Sequence, residues 1–144
     1  MDGLSWQVLT LGELSVNKAR NLGLKEAKGE IALLLDDDCE LGARNFLSDL
    51  VSWHSRQPKA LAIGGGYAVG AEATPLDRAY NCVARQWQAL DHFGDYRSSR
   101  LVGGNVSYKL DMLKEANEWF DESIQFGGTE AEFHQRLNAR GYET

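Results

Sequence analysis

Three consecutive aspartates, Asp36, Asp37 and Asp38, follow an unbroken apolar run from Ile31 to Leu35. A short run of this kind reads as a strand buried on both faces. Strand formation does not call for three like charges at its end, where they repel one another. In an extended chain alternate side chains share a side, so Asp36 and Asp38 are expected about 7 Å apart, with Asp37 pointing away. Two hard carboxylates at that spacing suit a divalent, oxygen-preferring cation that completes its shell with substrate phosphates. A solvated acidic loop, with one aspartate capping the next helix, suits the same residues. Glycines gather at three further points, Gly64 to Gly66, Gly103 with Gly104, and Gly127 with Gly128. Each follows an apolar or strand-like segment, where backbone must turn sharply or approach a ligand closely.

The elements that must position these residues alternate. Residues 6–11 form a candidate short strand. Residues 15–27 predict a helix with Ser15 as N-cap and Gly29 just past its end. The 31–35 strand leads to the aspartates and to a helix over 43–57, with Phe46, Leu47, Leu50 and Val51 on one face and Pro58 closing it. Residues 60–69 form a second strand interrupted by glycines. Thr74-Pro75-Leu76-Asp77 is a helix start, with Thr as cap, Pro at the first helical position and Asp at the third. A strand over 100–110, a short helix over 111–117 and a last helix ended by Gly141 complete the series. Strands alternating with helices predict an α/β class with a mainly parallel or mixed sheet. In an open sheet of this class ligands bind beyond the carboxyl ends of the strands, which is where the aspartates fall.

The chain has 144 residues, 43% of them apolar and 25% charged, the composition of one soluble domain. Its net charge of −6 argues against nonspecific nucleic-acid binding but allows a phosphate-bearing ligand accompanied by a cation. No apolar run is long enough to span a bilayer, and no signal segment opens the chain. Cys39 and Cys82, the only cysteines, lie in different elements without metal or redox spacing, so a reduced, cytoplasmic setting is expected.

The segment ARNLGLKEAKGEIALLLDDDCE resembles family 2 glycosyltransferases, nucleotide-diphospho-sugar enzymes with the GT-A fold. In that family an Ala-Arg-Asn-x-Gly helix leads through Ala-x-Gly-Glu to an apolar strand ending in a DxD motif. LVGGNVSYKLDML resembles its Gly-Gly-Asn strand and following helix, and WFDESIQFGGTEAEFHQRLNARGYE its Phe-Asp-Glu, Gly-Gly-Glu-Asp, Arg-Leu and Gly-Tyr series. The resemblance covers roughly residues 15–143, three blocks in the family's order. It implies an α/β, GT-A-like three-layer sandwich with a mainly parallel mixed sheet, in a single partial domain over residues 1–144. The domain is expected to be N-terminally truncated, lacking the front strands that grip the nucleobase. A sheet edge left open in this way invites homodimerisation or aggregation.

The activity implied is transfer of a sugar, of hexosyl type, from a nucleotide-diphospho-sugar to a hydroxyl of a saccharide, lipid or other acceptor, with inversion. A non-catalytic remnant or binding module that keeps the fold stands beside it. The enzyme would be cytoplasmic, in one form peripheral at the inner membrane face, and would use Mn2+ or Mg2+. By the resemblance Asp38 is the direct metal ligand and Asp36 holds the ribose or the metal's hydration shell. Asp37, at the variable middle position, reads better as a solvated charge. Arg20 falls on the nucleotide side; an exposed helix charge paired with Glu26 or Glu13 fits it equally. Gly103, Gly104, Asn105 and Gly128 are implied to line the sugar and acceptor pocket, with a plain β-bulge competing for the Gly103–Gly104 pair.

Thr129-Glu130 departs from the family's Glu-Asp after the paired glycines. Thr129 and Glu132 have capping-box spacing, which leaves Glu130 as the candidate catalytic base, with a raised pKa expected from partial burial. A favourable charge at a helix N-terminus is the plainer account of Glu130. His54, His92 and His134 show no metal spacing, and His134 is expected to be an exposed helix residue. Trp87, Trp119, Phe120 and Phe126, like Cys39 and Cys82, are expected to pack, although the aromatics could also shape an acceptor pocket.

Overall fold

The computed structural model describes residues 5–90, 92–93, 97–98 and 100–144, with backbone alone for 87–90 and 92–93. The elements are α1 (Val16–Glu26), β1 (Ile31–Leu35), α2 (Phe46–Arg56), β2 (Ala62–Gly64), α3 (Pro75–Leu90), β3 (His92–Phe93), β4 (Arg97–Ser98), β5 (Asn105–Lys109), α4 (Leu110–Ala116) and α5 (Thr129–Ala139). The starts of α1 and α3 follow the caps read from sequence. Ser15 Oγ accepts from the Lys18 amide, and Thr74 and Asp77 close a reciprocal box, the Thr74 amide donating to Asp77 Oδ2 at 2.8 Å and the Asp77 amide to Thr74 Oγ1 at 3.3 Å.

The class is mixed α/β, but the strand pairing differs from the parallel one expected. A three-stranded sheet has the order β1-β5-β2, with β5 antiparallel to both neighbours. β1 and β2 therefore run the same way without touching. Alternation of strands and helices fixes direction only when each connection is a single crossover. Here α3 and the β3–β4 hairpin intervene, and β5 enters between the earlier strands from the opposite end. Residues 6–11 form no strand. They take no place in a sheet among the described residues, and Trp6 and Val8 stay exposed.

One face of the sheet carries the core, although β1 is only partly buried and not buried on both faces as expected, because it lies at the edge of the sheet. Val106 and Tyr108 of β5 meet Leu24 of α1, Leu113 of α4, Phe133 and Leu137 of α5, and Phe120, all buried. The Phe120 and Phe133 rings lie 4.4 Å apart between centroids. Two asparagines of α1 fasten the 120–124 segment beneath this layer. Asn21 exchanges hydrogen bonds with the Phe120 backbone in both directions at 2.9 Å, and Asn17 donates to the Asp121 and Ile124 carbonyls. On the other face Ser107 bonds His54, the one buried residue of α2. The remaining apolar face of α2 is left open, with Leu47, Val51 and Trp53 exposed and a cleft of 610 Å³ between Phe46, Leu50, Trp53 and the small residues of β2. Among the described residues no helix is long and apolar enough to cross a membrane.

Candidate functional site

Because β5 runs against both neighbours, its first residue meets the carboxyl ends of β1 and β2. Leu35 pairs with Asn105, the Asp36 amide donates to the Gly104 carbonyl at 3.4 Å, and the Gly65 amide donates to the Asn105 carbonyl at 2.9 Å. The aspartates, the Gly-Gly-Asn segment and the glycine run after β2 thus converge. Tyr67, which the sequence reading passed over, donates its hydroxyl to Asp36 Oδ2 at 3.1 Å. Burial and the neighbouring Asp36 charge push the phenol above the usual tyrosine range, so it stays a neutral donor. Its signal in the sequence was its place directly after Gly64-Gly65-Gly66. Asn105 donates to the Gly66 carbonyl at 3.2 Å and ties that loop to the same point.

Beyond Asp36 the chain does not stay extended. The Cys39 amide donates to the Asp36 carbonyl at 3.3 Å, and this turn brings one ligand atom each of Asp36, Asp38 and Cys39 within 4.8 Å of one another. The carboxylates are therefore closer than the extended-chain separation expected. Both are exposed, and Asp37 is exposed without a hydrogen bond or ion pair among the described residues. Two carboxylates at a turn, open to solvent, fit a hard divalent cation that takes further oxygens from water and phosphate. The Cys39 thiol, 3.9 Å from Asp38 Oδ1, is too soft a donor to add much to such an ion. Cys39 is half-buried here and Cys82 is exposed, so neither is a core residue.

Glu130 stands on the other side of the Gly103–Gly104 turn. The helix α5 starts at Gly128, whose left-handed backbone (φ 70°) occupies the cap position without a side-chain bond. The capping box expected of Thr129 and Glu132 does not form. Thr129 is buried with its hydroxyl 3.4 Å from Arg20 Nη1, the Gly128 carbonyl already accepts from the Glu132 amide, and Glu132 pairs instead with Arg136 at 2.7 Å. Arg20 Nη1 donates to Glu130 Oε1 at 2.7 Å, and its guanidinium lies 5.3 Å from the Phe120 ring centre. Neither Glu13 nor Glu26 is its partner; Glu13 binds Lys18.

The pKa of Glu130 moves opposite to expectation. Burial raises it, but a backbone amide, the Arg20 hydrogen bond and charge, and Thr129 together outweigh burial and hold it below the usual glutamate range. His134 is fully buried rather than exposed. Its Nδ1 accepts from the Leu101 amide at 3.2 Å and its Nε2 lies 2.9 Å from the Tyr108 hydroxyl, so it braces the segment leading into the glycines. That segment is not strand; β5 starts only at Asn105, later than the strand expected over 100–110. Burial drives its pKa down to about 4, leaving it neutral at pH 7. Phe120 packs in the core and Trp119 against it, whereas Phe126 is exposed. The side chains of Trp87 and His92 lie outside the described residues.

The two glycines explain the arrangement. Neither has positive φ, and Asn105 N bonded to the Val102 carbonyl at 3.0 Å makes them part of a tight turn rather than a bulge. A Cβ on Gly103 would lie 2.5 Å from Arg20 Nη2 and 2.8 Å from the Glu130 carboxyl carbon; one on Gly104 would overlap the Asp36 carboxylate and the Tyr67 hydroxyl. Consecutive Cα atoms are about 3.8 Å apart. Asp36 and Glu130 are thus separated by little more than a side-chain-free peptide.

The model of the family described as Glycosyl transferase family 2 matches the chain over residues 7–116, and the chain belongs to that family. The match covers α1, the aspartates and Gly103-Gly104-Asn105 and ends before α5 and Glu130. No curated protein and no solved structure matches the chain.

Proposed function

We propose that this glycosyl transferase family 2 chain moves a sugar, of hexosyl type, from a nucleotide-diphospho-sugar to an acceptor hydroxyl with inversion. The observation that carries the reading is the contact of Asp36 and Glu130 with successive glycines of one turn, beyond the carboxyl end of β1. A donor phosphate end and an acceptor end are then within one sugar's reach of each other. The sheet, with β1 and β2 running the same way around an antiparallel β5, supports reading it as part of a GT-A-like three-layer sandwich in one domain spanning residues 1–144.

Asp38 and Asp36 would hold Mn2+ or Mg2+, and such an ion when bound supplies Lewis-acid charge to the leaving diphosphate. Asp36, oriented by the Tyr67 hydroxyl, also suits the ribose; Arg20 suits a phosphate oxygen, and Asp37 stays solvated on the donor side. Asn105 and the exposed Gly128 would face the sugar and acceptor, while the buried Gly103 and Gly104 would shape that pocket by letting Arg20, Glu130, Asp36 and Tyr67 close over them. Glu130 takes the proton of the acceptor hydroxyl as its oxygen bonds to the anomeric carbon; the bond from that carbon to the phosphate oxygen breaks, and the nucleoside diphosphate departs with the electron pair. A second reading, a donor-binding module without turnover, is favoured by one observation: Glu130 is engaged by Arg20.

Calorimetry of the full chain with UDP- and GDP-sugars, with and without Mn2+, tests the donor site. Mn2+-dependent binding of one nucleotide is expected, and Asp38→Asn should weaken it about 10- to 100-fold while leaving the circular-dichroism spectrum unchanged. Binding that ignores both the metal and Asp38→Asn would sink the reading.

A further inference from the structure

A guanidinium offers five N–H donors in a fixed plane. In Arg20, Nη1 serves Glu130 and reaches Thr129, while Nη2 has no hydrogen-bond acceptor among the described residues. It lies instead over Gly103, in the space a Cβ would fill. Phe120, itself buried, sets the plane of the group. The next glycine carries Asp36 on its other side, so an oxyanion over this turn can meet Arg20 Nη2 at one end and a cation at Asp36 and Asp38 at the other.

The pair is also accessible. The Arg20 and Glu130 side chains keep 14% and 25% of their surface, enough for exchange without unfolding. Among the described residues three titratable groups face Glu130: Arg20 from α1, Tyr108 from β5 and His134 from its own helix. Burial keeps Tyr108 and His134 neutral, so among the described residues Arg20 is the one charge that stabilises the carboxylate, beside a backbone amide that stays in place.

Resting on the donor-site reading above, we propose that the Arg20–Glu130 ion pair is an exchangeable lock: a diphosphate bound across the Gly103–Gly104 turn takes the Arg20 guanidinium, and Glu130 becomes a proton acceptor only then. A diphosphate carries more negative charge than one carboxylate and offers a planar guanidinium two oxygens, so it competes well for Arg20. Glu130, left with its burial and without its counter-charge, gains proton affinity, which a general base needs. The base is thereby withheld from acceptor or water until the donor is in place.

The probe is inorganic pyrophosphate with Mg2+, added to the full chain labelled with 13C at glutamate carboxyls, with the Glu130 signal assigned by Glu130→Gln. The titration midpoint of Glu130 should sit below the ordinary glutamate range alone and rise by about one pH unit or more when pyrophosphate saturates. In Arg20→Gln, which keeps the backbone amide bond to Glu130, it should start above the wild-type midpoint and hardly respond; Arg20→Lys, which keeps the charge, should give a smaller rise than wild type. Calorimetric binding of Mg2+-pyrophosphate with an unmoved midpoint overturns the lock and leaves the donor site standing. Absence of binding overturns both.

Discussion

On one side of the Gly103–Gly104 turn, Glu130 is half-buried and paired with Arg20, whose guanidinium lies over the buried Phe120 ring of the core. On the other, Asp36 and Asp38 are exposed and shaped by little more than a backbone turn and one tyrosine hydroxyl. The two carboxylate ends of the candidate site are thus built by opposite means. The base is held by the core, so its position is inseparable from the stability of the fold. The metal end is left to solvent, where a cation and phosphates can replace water without displacing protein. Changes behind Glu130 should therefore disturb the whole molecule, and changes around the aspartates should stay local.

The largest expected effect tests that asymmetry directly. Phe133→Ala empties a fully buried site and should cost about 3–5 kcal/mol in urea unfolding. Leu35→Ala, beside the aspartates and 44% exposed, should cost under about 1 kcal/mol. Equal losses would break the comparison.

His134 belongs to the base side, and burial brings its folded-state pKa to about 4, below the ordinary histidine value of 6.5. Between these values the unfolded chain binds more protons, so stability is complete above about pH 6.5 and falls as pH drops toward 4. The imidazole alone accounts for roughly 3 kcal/mol across that window, from about 1.4 kcal/mol per pH unit. His54, lowered to about 4 mainly by burial and then by the Lys109 charge, acts in the same direction. Unfolding of His134→Gln followed from pH 7 to 4 should lose the His134 share of the slope; an unchanged slope would show that His134 is charged in the folded state.

Glu130→Gln keeps the shape of the side chain and can still receive a hydrogen bond from Arg20, but it cannot take a proton. Turnover should fall by about 100-fold or more with donor affinity unchanged. A loss seen in donor affinity and not in turnover would move Glu130 from the base side of the comparison to the donor side. The smallest effect is expected of Glu132→Gln. Its carboxylate pairs with Arg136 four residues on, a partly exposed contact worth about 0.3–0.5 kcal/mol, and turnover should not change. Equal losses of turnover from Glu130→Gln and Glu132→Gln would mean that neither acts as the base.

Much of this was legible in the residues. Local devices act through neighbours in the chain, so the Ser15 and Thr74 caps, the 31–35 strand, and a last helix stopped at Gly141 could be read from spacing alone. The family, too, was written in short motifs, and Gly103, Gly104 and Asn105 were marked as a place of close approach. What the sequence could not decide were the pairings between distant segments. Arg20 and Glu130 are 110 positions apart, and only packing of α1 on α5 through Asn17, Asn21 and Phe120 makes them partners. That contact adds to the backbone amide at the helix start in lowering the pKa of Glu130, a share that chain spacing cannot report. Strand direction was equally hidden, because antiparallel insertion of β5 depends on how a long connection returns. The same insertion brings Tyr67 to Asp36 and buries His134, whose exposure no local pattern could report. Spacing determines what a segment can form on its own; which charges meet, and in what dielectric, is settled only when the segments pack.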